Sequence, residues 1–230
     1  MRRAGLFLLF LLLTSPALSK DYRITNVNID LKVYENGLVN VYEQLTFNFE
    51  GCFHEVYRDI PLFVGESIVS MDGASQSPSL LRTSYSDNVY SAKIIFSEPV
   101  CDKEEIVVFN YSMKNVVRKF DDASEINFKF WGDAWPSVGS ITARVSLPDA
   151  PNYFWVKPFY GIDYEVTDFQ GSKIITVTNI PKSQWLEFRA LYPVNEGEYY
   201  LVRSGSVVDK AVKEMTSQKR WNLFYYLLFE

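Results

Sequence analysis

The 230-residue chain is long enough to bury a substantial hydrophobic core, which excludes a disordered protein and a minimal disulfide-stapled scaffold. Its single histidine and two cysteines exclude most zinc sites, and the sequence predicts no metal site and no cofactor. The formal charge of −5 becomes −7 if Arg2 and Arg3 leave with an export signal, which excludes a duplex nucleic-acid partner because the basic surface is missing.

The first residues, 1–19, have the pattern of a secretory signal peptide. Two arginines precede an apolar run over residues 6–13, and Ala17 and Ser19 are the small residues that an export peptidase recognises. This pattern predicts cleavage before Lys20. An uncleaved anchor is the alternative, but the apolar run falls short of the roughly twenty residues that span a bilayer. We therefore expect an exported chain on the extracytoplasmic face of the membrane or at the cell surface.

Apolar and polar residues alternate along most of the remaining chain, and 16% of all residues are aromatic, which is typical of β structure. The clearest example is a hairpin, in which residues 27–33 and 39–49 flank Asn36-Gly37, a pair that favours a tight turn. About ten such strands with no long helical period between them predict an all-β fold. We expect an antiparallel two-sheet β-sandwich domain over residues 20–206, with a closed barrel as the alternative.

In the second hairpin strand, Glu43 has the same phase as Val41 and Leu45. Its carboxylate therefore lies on the apolar face of the strand. A charge on that face needs a partner or a shifted pKa. Arg58 and His54 lie in the segment that follows, and either can supply the positive charge. We expect a structural ion pair between Glu43 and Arg58. A catalytic pair with His54 is the alternative, which the absence of any nucleophile spacing disfavours.

Export places Cys52 and Cys101 in an oxidising compartment, where two cysteines are a candidate disulfide. Such a bond would close a loop of about fifty residues and stabilise the fold by roughly 4 kcal/mol in the chain-entropy model. Two unpaired, partly buried thiols are the alternative that the sequence leaves open.

Asn110 opens the triplet Asn110-Tyr111-Ser112, an acceptor pattern for N-glycosylation. The strand phase turns Asn110 away from Phe109 and Tyr111, so we expect its side chain to face solvent. Whether a glycan is attached depends on the machinery of the organism.

Trp131 and Trp135 bracket a Gly-Asp turn that contains Asp133. One interpretation is a platform on which sugar rings stack while the carboxylate accepts hydroxyl hydrogen bonds. The other is a strand end whose tryptophans close the core while Asp133 organises the turn, and the sequence favours it. The acidic residues 121, 122 and 125 lack the alternating oxygen pattern of a calcium loop, so we interpret them as a solvated turn.

The C-terminal segment, residues 207–230, has a helical rather than a strand period. Lys219 and Arg220 precede a mainly apolar, aromatic stretch over residues 221–229. We predict a short amphipathic, membrane-proximal helix whose end lies at a bilayer surface or opens a longer membrane segment. Packing of that end on the sandwich or on a partner chain is the alternative.

Three segments of the chain carry a family resemblance: FHEVYRDIP at 53–61, FWGDAW at 130–135 and LEFRALYP at 186–193. Together with the exported N-terminus, Asn36-Gly37, Val41 and Glu43, they resemble the domain of unknown function 2207 family over about residues 22 to 195. The resemblance implies an extracytoplasmic β domain that is followed by transmembrane helices in longer members. It implies no reaction and no catalytic residue.

Two functional hypotheses follow. The first is a non-enzymatic, membrane-associated module that binds or senses something outside the cell or stabilises the envelope, with the membrane or a membrane protein as its partner. The second is an envelope glycan-binding or glycan-active protein that uses the segment from Trp131 to Trp135. The identity of any ligand is not determined by the sequence.

Overall fold

The structure is a computed structural model that describes residues 20–229, so the predicted signal peptide, residues 1–19, lies outside the described residues. Within that range the chain forms fifteen strands in three sheets and one helix. The fold is therefore all-β and sandwich-like, as the alternating pattern predicts.

The largest sheet has seven strands in the order β12-β13-β10-β1-β2-β7-β4. The predicted hairpin lies at its centre and is confirmed, since Val33 pairs with Val39 and Leu31 with Val41 across the Asn36-Gly37 turn. The strands are β1 (Asp21–Val33), β2 (Val39–Glu50), β4 (Ser67–Ser75), β7 (Glu104–Lys114), β10 (Val138–Ser146), β12 (Tyr164–Phe169) and β13 (Ser172–Ile180).

A three-stranded sheet with the order β3-β6-β5 comprises β3 (Cys52–Pro61), β5 (Ser79–Ser86) and β6 (Val89–Cys101). Cys52 and Cys101 are directly opposite each other in the β3–β6 register and are joined by a disulfide bond, with their Cα atoms 4.0 Å apart.

A five-stranded sheet has the order β11-β14-β9-β8-β15. Its strands are β8 (Arg118–Lys119), β9 (Ser124–Trp131), β11 (Tyr153–Lys157), β14 (Leu186–Tyr192) and β15 (Leu201–Val202).

The prediction of two antiparallel sheets is wrong in two respects. The sheets number three, because the chain turns at Gly51, which has a φ of +86°, and β3 leaves the sheet of β2 to pair with β6. The pairing is also not antiparallel throughout, since β1 runs parallel to β10 and β8 runs parallel to β15. Alternation specifies which residues are buried but not which strand lies next to which.

The three sheets share one apolar core. Phe47 and Phe109 enter it from the seven-stranded sheet, Ile94 from the three-stranded sheet, and Phe130 and Phe188 from the five-stranded sheet, and all five are at most 2% exposed. This common core holds the sheets at fixed positions and so fixes the groups that lie between them.

Among the described side chains of the helix α1 (Val208–Phe229), only those in its first half are buried. Ala211 and Met215 are buried, and Ala211 packs in a small cluster with Ala123 and Leu191. Asp122 caps the helix by accepting hydrogen bonds from the backbone N–H groups of residues 207 and 208 at 2.8 and 3.0 Å. In the part of the chain that the structure describes, no helix has the length and apolarity needed to cross a bilayer.

Candidate functional site

A cavity of about 330 Å³ lies between the sheets. Its walls come from β1, β3, β7 and β9, from the loop after β3 and from the turn after β9. A volume of this size with mostly apolar walls and a few polar groups is typical of small-ligand sites. The lining residues include Tyr22, Arg58, Asp59, Phe63, Glu66, Tyr111, Asn127, Phe128, Lys129, Asp133 and Trp135.

Buried charges lie next to the cavity. Arg58 donates from Nε to Glu43 Oε2 at 2.5 Å and from Nη2 to Glu43 Oε1 at 2.8 Å, which is a two-pronged ion pair. The hydroxyl of Tyr111 donates to the same Oε1 at 2.7 Å. Glu43, Arg58 and Tyr111 are all less than 7% exposed. The predicted pairing of Glu43 with Arg58 is therefore present in the structure, with a tyrosine as an additional donor.

The electrostatics of this cluster keep Arg58 charged and Tyr111 neutral. Burial alone would lower the pKa of Arg58, but the charge and hydrogen bonds of Glu43 outweigh it and raise that pKa. Burial, assisted by the charge of Glu43, raises the pKa of Tyr111 well above its ordinary value. His54, the alternative partner, is exposed, whereas Arg58 is buried on the same strand. The cluster thus joins β2 and β7 of one sheet to β3 of another.

The two tryptophans of the predicted platform have different environments. Trp131 ends β9 and is 2% exposed, whereas Trp135 is half-buried on the cavity wall. Their rings stack with centroids 5.0 Å apart, so Trp131 covers one face of Trp135. Asp133 is exposed and borders the cavity. Trp131 therefore closes the core, and of the two rings only Trp135 faces the cavity.

Glu66 and Asn127 also border the cavity, although no sequence pattern indicates either residue. Glu66 accepts a hydrogen bond from the backbone N–H of Phe63 at 3.0 Å, yet burial dominates and raises its pKa. Asn127 Oδ1 is buried and has no hydrogen-bond partner among the described residues. Neither residue carries a sequence signal, because Glu66 lies in a loop and Asn127 alternates as an ordinary polar strand residue. Tyr111 does carry one, since a hydroxyl in phase with Phe109 and Met113 needs a partner inside the core.

The remaining predicted sites lie away from the cavity. Asn110 is exposed on β7, and its Oδ1 accepts a hydrogen bond from Asn40 Nδ2 at 3.1 Å. Of the acidic residues near position 122, Asp121 accepts from the backbone N–H of Gly205 at 2.9 Å, and Glu125 is buried in an ion pair with Arg189. These carboxylates therefore organise the attachment of the C-terminal segment. Across residues 20–229, no cluster of three or more histidine, cysteine or acidic side chains is arranged to hold a metal ion.

A family model described as "Predicted membrane protein (DUF2207) N-terminal domain" matches residues 23–192 of the chain. A comparison with curated proteins finds no match. The matched region contains the residues that line the cavity, except Tyr22, and leaves out the helix α1.

Among solved structures, the chain is similar to native leukotriene A4 hydrolase from Saccharomyces cerevisiae, with a TM-score of 0.50 and 8% identity over 74% of this chain and 29% of that one. It is also similar to an M1 zinc metallopeptidase from Deinococcus radiodurans, with a TM-score of 0.44 and 12% identity over 74% of this chain and 42% of that one. The chain thus spans less than half the length of these proteins. At such identities the likeness concerns the fold alone.

Proposed function

Because the chain belongs to the DUF2207 family of predicted membrane proteins, we propose that it is the extracytoplasmic, non-catalytic binding module of a membrane-associated protein. Residues 20–206 would form the binding domain, and α1 would bring it to the membrane. The observation that carries the proposal is the division of α1 into a docked half and an exposed aromatic half.

The docked half is held by polar and apolar contacts. Arg189 Nη1 donates to Glu214 Oε2 at 3.1 Å, and Met215 is the last buried residue among the helix side chains that the structure describes. Beyond it the large apolar side chains are exposed: Trp221 by 59%, Phe224 by 53% and Leu227 by 71%. An exposed apolar surface of this kind on a soluble domain marks a membrane or protein contact.

The composition of the exposed half supports a bilayer surface as its partner. Lys219 and Arg220 precede the aromatic residues, and basic and aromatic side chains together favour the interface between lipid headgroups and acyl chains. Tyr160 stacks on Tyr226 with ring centroids 5.9 Å apart, so the domain also contacts this half of the helix. The membrane-facing surface is therefore continuous with the domain.

The non-catalytic part of the proposal is supported by the state of the buried groups. The carboxylate of Glu43 accepts three hydrogen bonds from Arg58 and Tyr111, and each of those groups is held in one protonation state. Such a cluster fixes two sheets around the cavity. The cavity then serves binding.

Flotation with vesicles of phosphatidylcholine and phosphatidylglycerol tests the membrane part. We expect the mature full-length chain to float with the vesicles and the double variant Trp221→Ser/Phe224→Ser to remain at the bottom. Tyr85→Ser is the matched control, since Tyr85 is also 59% exposed but lies on β5. A wild-type chain that stays with the soluble fraction would overturn the proposal.

Glycan binding is the second candidate function, and it depends on the position of Trp135 and Asp133 at the cavity. One open face of Trp135 and a nearby carboxylate form a site for a single sugar ring rather than an extended platform for several rings. A glycan-array signal that is lost in Trp135→Ala and Asp133→Ala, with unchanged thermal unfolding, would support this alternative. A blank array with the wild-type chain would contradict it.

A further inference from the structure

The charged residues that line the cavity leave it acidic. Arg58 is neutralised by Glu43 in the buried ion pair. The ammonium group of Lys129 lies over the ring of Trp185, 5.7 Å from its centroid, and is held there. Glu66 and Asp133 form an ion pair with neither of these cations, although the positive charge of Arg118 also acts on Glu66.

The third lining carboxylate, Asp59, is tied to the neighbouring strand through one of its oxygens. Asp59 Oδ1 accepts a hydrogen bond from Ser91 Oγ at 2.5 Å, on the neighbouring strand β6. Glu66 uses one oxygen for the backbone N–H of Phe63, which leaves the other oxygen for a ligand. Asp133 is exposed where the turn after β9 borders the cavity. The negative charge therefore lies on two different walls.

Several of the hydrogen-bond donors that line the cavity are already used within the protein. The hydroxyl of Tyr111 and three of the N–H groups of Arg58 are used within the protein, on Glu43 and on the backbone oxygen of Asp59. Asn127 Oδ1, by contrast, is a buried acceptor without a partner. A buried acceptor without a donor costs free energy, so a ligand that donates hydrogen bonds is favoured here.

The apolar part of the wall is largely aromatic. Tyr22, Phe63, Phe128 and Trp135 contribute to the lining. The faces of aromatic rings attract cations, and organic ammonium groups are recognised by aromatic walls that are combined with carboxylates. Aromatic rings, the carboxylates of Glu66 and Asp133, and an acceptor without a partner among the described residues thus point to the same class of ligand.

We infer that the cavity binds an organic cation, namely a primary amine on an aromatic or aliphatic body, with its ammonium group near Glu66 and Asp133 and its apolar body against Trp135. This inference rests on the proposed binding function and assigns a ligand class to it. An anionic ligand is disfavoured, because it would face the carboxylates of Glu66 and Asp133.

Isothermal titration calorimetry at pH 7 with three matched probes tests the inference. Phenethylamine, 2-phenylethanol and 3-phenylpropionate share a phenyl body and carry a positive, neutral and negative head group. We expect the mature full-length chain to bind phenethylamine about tenfold more tightly than the alcohol, because a charge-assisted hydrogen bond is stronger than a neutral one. The carboxylate probe is expected to bind most weakly.

Variants locate the site. Glu66→Gln and Asp133→Asn each keep the size of the side chain and are expected to weaken phenethylamine binding by about tenfold, with little effect on the alcohol. Trp135→Leu is expected to weaken both probes. Glu165→Gln is the matched control, since Glu165 is exposed on β12, away from the cavity.

Equal affinity for the amine and the alcohol would overturn the cationic ligand and leave a neutral binding site. No heat with any of the three probes would overturn the inference as well. Neither result affects vesicle flotation, so a failure of this inference is distinguishable from a failure of the membrane-associated function. Phenethylamine binding that persists unchanged in Glu66→Gln and Asp133→Asn would place the amine elsewhere and also contradict the inference.

Discussion

Arg58 on β3 holds Glu43 on β2 through two hydrogen bonds, of 2.5 and 2.8 Å, across the junction of two sheets. Both side chains are almost completely buried, and Arg58 also borders the cavity. The pair therefore acts as a polar bridge inside an apolar core. Its position explains why β3 can leave the seven-stranded sheet and still pack firmly against it.

Removal of one partner of this bridge should lower the free energy of unfolding far more than removal of both partners. We expect Arg58→Met or Glu43→Leu alone to lower the free energy of unfolding by about 3–5 kcal/mol, because the remaining charge is buried without a counter-ion. The double variant should recover most of that loss. Urea unfolding of the four proteins measures the coupling, and strictly additive losses would contradict the bridge.

The bond between Cys52 and Cys101 should be present in the exported protein and should stabilise it. Removal of both thiols by Cys52→Ser/Cys101→Ser is expected to cost roughly 4 kcal/mol, as the chain-entropy model gives for a loop closed over 49 residues. Mass spectrometry after alkylation provides the direct check. Alkylation of both cysteines without a reductant would contradict the bond.

Gly139 on β10 allows a close approach of β1. A Cβ atom at this position would lie 2.4 Å from the backbone oxygen of Thr25, at the register shift between Ile24 and Asn26. We therefore expect Gly139→Ala to lower the free energy of unfolding by about 1–3 kcal/mol, since backbone must move to admit it.

Gly132 provides the control for that substitution. A Cβ atom there would have its nearest neighbour at 3.7 Å, on the ring of Trp135. Gly132→Ala should change stability by less than about 0.5 kcal/mol. Equal thermal stability of the two alanine variants would contradict the close approach of β1 and β10.

Glu66 should make stability depend on pH. Burial raises the pKa of its carboxyl in the folded state, so ionisation of Glu66 is less favourable in the native protein than in the unfolded chain. The stabilisation that the protonated form provides is complete below the ordinary pKa of a glutamate and is lost as pH rises through the raised value. Glu66→Gln should accordingly raise the melting temperature at pH 7 by about 1–2 °C and leave it unchanged at pH 4.

Calorimetric scans at the two pH values check this expectation, with Glu165→Gln as the exposed control. An equal rise in the melting temperature of Glu66→Gln at pH 4 and pH 7 would show that the substitution acts through packing. A loss at pH 7 would show that the ionised carboxylate is favoured in the folded protein.

Alternation along the chain was sufficient to predict the central hairpin, the burial of Glu43 and the outward direction of Asn110. Each of these depends on one strand and on its period of two, which is a local property. The helical period beginning near residue 207 was equally visible, since Ala211 and Met215 lie one turn apart on one face.

The pairing between strands that are distant in the chain could not be predicted from alternation. The three-sheet arrangement, the parallel pair of β1 and β10, and the hydrogen bond from Tyr111 to Glu43 all join residues that are far apart in the chain. Trp131 and Trp135 illustrate the same limit at short range. They look equivalent in sequence, yet the turn between them buries one ring and leaves the other at the cavity.

The sequence by itself determined the all-β fold class, the residues that face the core, the family and the aromatic C-terminal segment. Each of these is encoded in the local period or the composition of the chain. Only the tertiary structure decided that Arg58 rather than His54 neutralises Glu43, and that Glu66, Asn127 and Trp135 border one cavity. The physical reason is that a cavity is defined by the packing of several sheets at once. The side chains around it are selected by position in space and not by spacing along the chain.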